Sequence, residues 1–170
     1  GGPSTGLPTK TEQSDLMQAL WGRNGECPLV VVAAKSPSDC FDMAFMASKI
    51  ALERMTPVVL LTDGFIANGS QPWRIPSMKD YPEIHPPIAQ PSENGERFLP
   101  YKRNENYARS WAFPGTLGLS HRIGGLEKDS LKGTVSHDPQ NHQTMTDLRA
   151  KKVATVQNMI PAQTLMGDAT

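Results

Sequence analysis

Residues 28–62, PLVVVAAKSPSDCFDMAFMASKIALERMTPVVLLT, decide the fold of this chain. Residues 28–34 and 57–62 are continuous apolar runs rich in β-branched side chains, which is typical of strands buried on both faces of a parallel sheet. Between them, the Ser-Pro pair at residues 36–37 predicts a helix start, with Ser as the N-cap and Pro at the first helical position. The helix should reach residues 54–55. The stretch therefore predicts a strand–helix–strand unit with a right-handed crossover.

The helix predicted within this stretch has one apolar face. Its members are Cys40, Met43, Ala44, Ala47, Ile50 and Ala51, widened by Phe41, Phe45 and Met46. An apolar stripe at helical spacing is the side of a helix that packs on a core. We interpret its methionines as core filling, because the flexible thioether fits irregular gaps.

The second predicted strand is followed by Asp63-Gly64, with Asn68 five residues after Asp63. Ligands of open parallel sheets gather at the carboxyl ends of the strands, so a metal site is one interpretation. The other is a turn or a helix cap, because Asp accepts hydrogen bonds from nearby backbone amides. We favour the turn or cap.

On the amino-terminal side, the chain opens with GGPSTGLPTKTEQSDL, residues 1–16. Its glycines allow the backbone to approach a ligand closely, and the hydroxyls of Ser4, Thr5 and Thr9 can donate and accept hydrogen bonds. A loop of this kind before a helix can form an anion site, but composition alone favours the alternative, a plain connection between elements. The sequence has neither the G-x-x-x-x-G-K-[ST] phosphate loop nor the G-x-G-x-x-G dinucleotide pattern. The pattern alone therefore leaves carboxylate and phosphate equally open.

Thr9 and Glu12 have the spacing of a capping box, which predicts a helix that begins at Thr9 and ends near Trp21. Its inner face should consist of Leu16, Met17, Leu20 and Trp21. The glycines of residues 22–25 then end the pattern.

On the carboxyl-terminal side, regular periodicity disappears from Phe65 to about Lys132, and eight of the 15 prolines lie between Pro72 and Pro114. A loop of this length is uncommon inside a compact domain. Aromatic residues are dispersed along it, as in segments that anchor on a partner surface. They are Trp73, Phe98, Tyr101, Tyr107, Trp111 and Phe113. We favour an arm between subunits, with packing on its own domain as the alternative.

Asp138-Pro139 predicts the start of a last helix, which should run to about Asn158 and end before Pro161. Its buried stripe should be Met145, Leu148, Val153, Val156 and Met159. We expect its water-exposed face to carry Asp147, Arg149, Lys151 and Lys152.

Charge and cysteine content argue against several classes of protein. The 170 residues include 17 basic and 17 acidic side chains, a balance unlike the basic face of a nucleic-acid or membrane-surface protein. No apolar run reaches the roughly 20 residues of a membrane span. Cys27 and Cys40 form neither a disulfide framework nor a C-x-x-C site, so we expect a reduced, cytoplasmic setting. The four histidines are too scattered to favour a zinc site.

Five stretches resemble segments of the α subunit of 2-oxoacid:ferredoxin oxidoreductases of the 2-oxoglutarate type. They are GPSTGLPTKTEQSDL (residues 2–16), PLVVVAA (28–34), SPSDCFDMAF (36–45), TPVVLLTDGFIANGSQPWRIP (56–76) and DPQNHQTMTDLRAKKV (138–153). The resemblance extends over nearly the whole chain. We therefore expect an internal fragment of that subunit, inactive on its own.

The resemblance implies an activity and its partners. Such enzymes oxidatively decarboxylate a 2-oxoacid to its acyl-CoA and pass electrons to ferredoxin. Thiamine diphosphate with Mg²⁺ is shared with a β subunit, and that partner carries an iron–sulfur cluster. We expect neither group to bind this fragment alone, and a second α subunit is a further candidate partner. The alternatives are a pyruvate or branched-chain 2-oxoacid substrate, or a non-catalytic subunit-interaction module.

The resemblance also implies a site and a division of the chain. Thr9 matches a position that contacts the substrate side chain, and Thr5, Ser4 and Gly2 lie in the same substrate-binding loop. The arginine and glutamate that the family uses lie upstream of Gly1. The expected fold is a partial three-layer αβα sandwich with parallel strands, of the pyrimidine-binding type, plus a long irregular arm. Its expected parts are the C-terminal part of a pyrimidine-binding-type α/β domain (1–71), the irregular Pro-rich arm (72–135), and a helix and linker toward a following domain (136–170).

Overall fold

The computed structural model describes residues 14–162 and 164–167. Its helices and strands, in chain order, are α1 (Ser14–Trp21), β1 (Val30–Ala33), α2 (Asp39–Arg54), β2 (Val58–Leu61), α3 (Gly64–Asn68) and α4 (Pro139–Ala154). Single 3-10 turns lie at Met78–Asp80 and Thr155–Asn158. Within this described part, no helix combines the length and the apolar character needed to cross a membrane.

The two strands form a parallel pair, with Val30 opposite Val58 and Ala33 opposite Leu61. The ladder continues one residue further, because the Ala34 amide donates to the Leu61 carbonyl at 3.2 Å. This confirms the predicted α/β class with parallel strands. The two strand ends that follow Ala33 and Leu61 meet at one edge, which is the carboxyl edge of the sheet.

Helix α2 begins at Asp39, three residues after the predicted N-cap. Ser36 nevertheless makes the bond expected of a cap, because its Oγ accepts from the Asp39 amide at 3.3 Å. Asp39 Oδ2 in turn accepts from the Lys35 amide at 2.9 Å, so the two side chains brace the first turn reciprocally. The helix ends as predicted at Arg54, where Met55 adopts a left-handed conformation with φ of 45°.

The core lies where the starts of both strands meet the ends of α2 and α4. Ile50 is 0% exposed and packs in one cluster with Val30 and Val156. Met46, Val58 and Val153 are among the partly buried side chains around it. The apolar runs of residues 28–62 therefore do form the predicted core, and the last helix completes it.

The predicted inner face of the first helix is wrong for Leu16, Met17 and Trp21, whereas Leu20 is half-buried. No residue of α1 is buried, and Trp21 is 74% exposed. Leu16 and Met17 are exposed as well. The apolar spacing is present, but within the described part of the chain Leu20 and Trp21 only line a cavity shared with Ala150 and Val153 of α4. The predicted end at Trp21 is confirmed, and the predicted start at Thr9 lies outside the described residues.

The arm, residues 72–135, has little regular structure but follows a defined course. Gln71, which directly precedes it, donates from Nε2 to Ser38 Oγ at 2.7 Å at the start of α2. The ring of Trp73 then lies 5.4 Å from the ring of Phe41, one turn further along the helix. The segment therefore begins on α2, on the side of the helix that the core does not use.

The same segment continues to the end of α2. The ring of Tyr81 lies 4.7 Å from that of Phe45, and the amide of His85 donates to Glu53 Oε1 at 2.9 Å. Residues 71–85 thus run alongside α2 in the direction of the helix. Packing on its own domain, the alternative interpretation, describes this part of the arm, while docking on a partner stays a prediction.

Helix α4 begins where the sequence predicts. Asp138 Oδ1 accepts from the Gln140 amide at 3.0 Å, and Pro139 occupies the first turn. The α-helix ends at Ala154 and continues as the 3-10 turn to Asn158. Met145 and Val156 are buried, in agreement with the predicted stripe.

Candidate functional site

The predicted substrate-binding residues Gly2, Ser4, Thr5 and Thr9 all lie outside the described residues. Helix α1, into which their loop leads, is described and can be located relative to the sheet. Asp15, Gln18 and Arg23 line a cavity of about 420 Å³ together with Leu61, the last residue of β2. The loop therefore joins a helix that lies beside the carboxyl edge, where parallel sheets bind ligands.

Arg23 is committed to a structural role at this cavity. Its guanidinium donates to the carbonyls of Ala19 and Leu20 in the last turn of α1, and to the carbonyl of Cys27 at 2.9 Å. A cation at this position complements the helix dipole and satisfies carbonyls that have no helical partner. Among the described residues, Asp15 and Gln18 are the other polar side chains that line the cavity.

Asp63 is a helix cap, as predicted. Its Oδ1 accepts from the Phe65 amide at 2.7 Å at the start of α3. Asn68 donates from Nδ2 to the Gly64 carbonyl at 2.8 Å, so its amide group is used within the same short helix. The described ranges contain no group of three His, Cys, Asp or Glu side chains that could hold a metal ion.

The predicted water-exposed face of α4 is wrong for Lys152. Its Nζ donates to the Met55 carbonyl at 2.9 Å, at the end of α2. The pKa of Lys152 is lowered to about 8. Burial is the largest cause, and the nearby guanidinium groups of Arg109, Arg103 and Arg149 lower it further. A cation is suited to this place because the carboxyl end of a helix carries partial negative charge.

Arg149 lies partly on the predicted water-exposed face, with its side chain 34% exposed, and it also contacts other segments. It forms an ion pair with Glu26, just before β1, and a longer contact of 3.6 Å with Glu127. The hydrogen bond from Arg149 is the main reason why the pKa of Glu26 is lowered. The pair therefore joins α4 to the segment that enters the sheet.

A signal for both residues is present in the sequence. Met145, Arg149, Lys152 and Val156 follow one another at intervals of four, three and four residues, which places them on one face of the helix. The polar members sit at the rim of the buried stripe, where a long side chain can pack its stem and still reach a carbonyl. The pattern identifies the face but not the carbonyl that it meets.

A family profile matches residues 1–138 of this chain, and its description reads "Pyruvate flavodoxin/ferredoxin oxidoreductase, thiamine diP-bdg". The match includes the opening loop, both strands and the whole arm.

Two curated relatives carry more specific names. The chain is 56% identical over 154 residues to the 2-oxoglutarate oxidoreductase subunit KorA of Mycobacterium tuberculosis, which covers 90% of this chain and 23% of that protein. It is 29% identical over 153 residues to the 2-oxoglutarate synthase subunit KorA of Methanothermobacter marburgensis, which covers 90% of this chain and 40% of that one. The chain thus spans well under half the length of either relative.

A solved structure agrees with the sequence comparisons. The 2-oxoglutarate:ferredoxin oxidoreductase from Magnetococcus marinus, with 2-oxoglutarate, coenzyme A and succinyl-CoA bound, superposes with a TM-score of 0.84. The identity is 31%, and the match covers 99% of this chain and 29% of that chain. Because the family profile and the superposition agree over most of its length, this chain belongs to the thiamine-diphosphate-binding family of pyruvate flavodoxin/ferredoxin oxidoreductases.

Proposed function

We propose that this chain is part of the α subunit of a 2-oxoglutarate:ferredoxin oxidoreductase. The parent enzyme would oxidatively decarboxylate a 2-oxoacid to its acyl-CoA and pass the electrons to ferredoxin. The 56% identity to a subunit named for 2-oxoglutarate, over 90% of this chain, is the observation that carries the proposal. The bound molecules named for the Magnetococcus marinus structure support the same substrate class.

We assign thiamine diphosphate and Mg²⁺ to an interface between this subunit and its β partner, and the iron–sulfur cluster to the partner. When bound, thiamine diphosphate supplies the carbanion that allows a 2-oxoacid to lose CO₂. The placement of α1 beside Leu61 supports this assignment, because the helix that follows the loop then lies at the carboxyl edge, where open parallel sheets bind ligands. Coenzyme A takes the acyl group, and the assembly belongs in the cytoplasm.

The fit of the described residues to an anionic ligand is partial. The guanidinium of Arg23 already donates hydrogen bonds to backbone carbonyls. The other polar side chains that line the cavity beside Leu61 are Asp15 and Gln18. The amides and hydroxyls of the preceding loop are therefore the groups of this chain that we assign to the substrate. Thr9 would hold the distal carboxylate of 2-oxoglutarate, with Thr5, Ser4 and Gly2 beside it.

Kinetics of the assembled full-length enzyme test this assignment. Thr9→Val removes a hydroxyl with little change in volume, and we expect kcat/KM for 2-oxoglutarate to fall by about tenfold or more, because a hydrogen bond to a charged group is lost. Thr11→Val is the matched control and should leave kcat/KM unchanged. Equal kinetics of Thr9→Val and the natural enzyme would remove Thr9 from the site.

Pyruvate is a second candidate substrate, because the family description names it. Comparison of kcat/KM for 2-oxoglutarate, pyruvate and a branched-chain 2-oxoacid on the same preparation decides between them. We expect the highest value for 2-oxoglutarate. A higher value for either other acid would keep the family and change the substrate.

A second candidate function for this chain is a non-catalytic one, in which the arm mediates association between subunits. The arm leaves Ile75 82% exposed and Met78 exposed, while neighbouring residues bind α2. If this side docks on the β subunit or on a second α subunit, Ile75→Asp with Met78→Asp should weaken association and leave the contacts with α2 intact. Unchanged stoichiometry in analytical ultracentrifugation would contradict that role, and Lys79→Asp is the control.

A further inference from the structure

A second cavity lies within the arm. Its volume is about 470 Å³, and every residue that lines it comes from residues 88–110. Ile88, Phe98 and Leu99 supply an apolar wall, and Phe98 also makes an edge-on contact with His121 at 5.1 Å between ring centroids. The volume is in the range of pockets that bind small molecules.

The polar side of this cavity carries an excess of positive charge. Arg97, Lys102 and Arg103 line it, against the single acidic residue Glu96. Arg97 and Lys102 are exposed, and neither has an ion pair among the residues that the structure describes. Their charged groups are therefore available to a ligand, in contrast to Arg149, which is paired.

Arg103 has a different part in the same wall. Its guanidinium donates to the carbonyls of Tyr101 and Ser130, each at 2.9 Å, which fixes its position. Burial and the neighbouring Arg109 lower the pKa of Arg103, and Arg109 itself lies 4.3 Å from the centre of the Tyr101 ring. Within the described ranges neither arginine has a carboxylate partner, so their charge adds to the positive potential at the cavity.

Gln90 and Ser110 complete the polar lining. Within the described part of the chain, neither side chain makes a hydrogen bond. Both are therefore available to a polar ligand, in the same way as the two exposed cations.

We propose that this cavity is a binding site for a small molecule that carries an anionic oxygen group, either phosphate or carboxylate, next to an apolar part. Arg97 and Lys102 contact the anionic oxygens, since both present N–H donors suited to phosphate and carboxylate. Gln90 and Ser110 add hydrogen bonds, and Ile88, Phe98 and Leu99 pack on the apolar part. The proposal goes beyond the proposed function and does not depend on it.

Isothermal titration calorimetry on the assembled full-length protein tests the site. The probes are inorganic pyrophosphate and succinate, each titrated at constant ionic strength set with sodium chloride. We expect saturable binding of one probe with a Kd below about 1 mM, and the probe that binds identifies phosphate or carboxylate as the ligand group. The absence of saturable binding by both probes would overturn the proposal.

Variants separate this cavity from any other anion site in the protein. Arg97→Gln with Lys102→Gln should weaken probe binding by about tenfold or more, because two charge-assisted contacts are lost. Lys79→Gln with Arg122→Gln removes the same charge from exposed positions outside the cavity and should leave the Kd unchanged. Equal binding by the two double variants would place the probe elsewhere and overturn the proposal.

Hydrogen exchange supplies a measurement that needs no variant. Addition of the binding probe should slow exchange of the amides of residues 88–104 in the natural protein. Unchanged exchange in that range, with calorimetric binding present, would also contradict the site.

Discussion

The strand–helix–strand unit of residues 30–61 and the arm of residues 72–135 are stabilised in different ways. In the unit, backbone groups pair with one another in a regular register, and apolar side chains such as Ile50 fill the space between the elements. In the arm, backbone pairing is limited to isolated bridges and turns, such as the bridge between Ile88 and Trp111, and single polar side chains satisfy further backbone groups. Asn104 Oδ1 accepts from the amides of Asn106 and Ala108, both at 3.0 Å.

A second asparagine side chain also forms hydrogen bonds with the backbone of the arm. Asn141 of α4 accepts from the Ser130 amide at 2.9 Å and donates to the Lys128 carbonyl at 2.8 Å, and it thus pairs with the arm as a strand would. Irregular backbone is therefore ordered here by scattered backbone bonds together with a few polar side chains, rather than by a periodic pattern. Truncation of apolar side chains should therefore affect the unit, and truncation of polar ones should affect the arm.

The largest effect is expected in the unit. Ile50→Ala removes a fully buried side chain and should lower the free energy of unfolding by about 3 kcal/mol, because it leaves a cavity. Native-state hydrogen exchange of residues 58–61 in the full-length subunit measures it. Leu52→Ala, at a position 40% exposed, is the control and should cost about 1 kcal/mol or less. Equal costs would show that this cluster is not the stabilising core.

The next effect should be confined to the arm. Asn104→Ala leaves two amides without their acceptor and should cost about 2 kcal/mol of local stability. Exchange at residues 106–108 should accelerate, while exchange at residues 58–61 stays unchanged. Asn104→Asp keeps the acceptor oxygen and should behave as the natural protein does. Acceleration in both regions would mean that the arm and the unit unfold together.

A smaller effect concerns the joint between the two regions. Trp111 donates from Nε1 to the Leu52 carbonyl at 2.8 Å, and Trp111→Phe should cost about 1 kcal/mol and raise protease sensitivity of the arm. Trp73→Phe keeps the ring contact with Phe41 and serves as the control. Equal protease sensitivity of the two variants would argue that this hydrogen bond does not hold the arm.

The smallest effect is a dependence of stability on pH. Burial lowers the pKa of Lys152 to about 8 from 10.5, so the unfolded chain binds more protons than the folded one between these values. The free energy of unfolding should therefore rise with pH from about 8 toward 10, by less than about 1 kcal/mol for a partly exposed group.

Urea denaturation of the full-length subunit at several pH values measures this slope. Lys152→Met should abolish it, and Lys151→Met is the exposed control. The window ends near pH 10, because a hydrogen bond to Asp42 raises the pKa of Tyr81 to about 12 and ionisation of tyrosines then opposes the trend. A slope that persists in Lys152→Met would assign it to another group.

Capping residues and apolar runs in the sequence correctly predict those helices and strands whose ends depend only on nearby residues. Asp138 and Asp63 are caps as expected, and both strands of the parallel pair are where the apolar runs predict. Tertiary partners decide the rest. Lys152 meets a carbonyl of α2, and the course of residues 71–85 depends on side chains of that helix. The substrate assignment to Thr9 stays a prediction, because it lies outside the described residues.

The parallel course of residues 71–85 along α2 has a consequence for how this surface can change in evolution. On this side, neighbouring molecules meet the arm before they meet the helix. Substitutions such as those at Ile75, which projects outward, cost neither helix propensity nor strand pairing. New recognition can therefore arise on a segment without regular secondary structure while the sheet and its crossover helix keep their sequence.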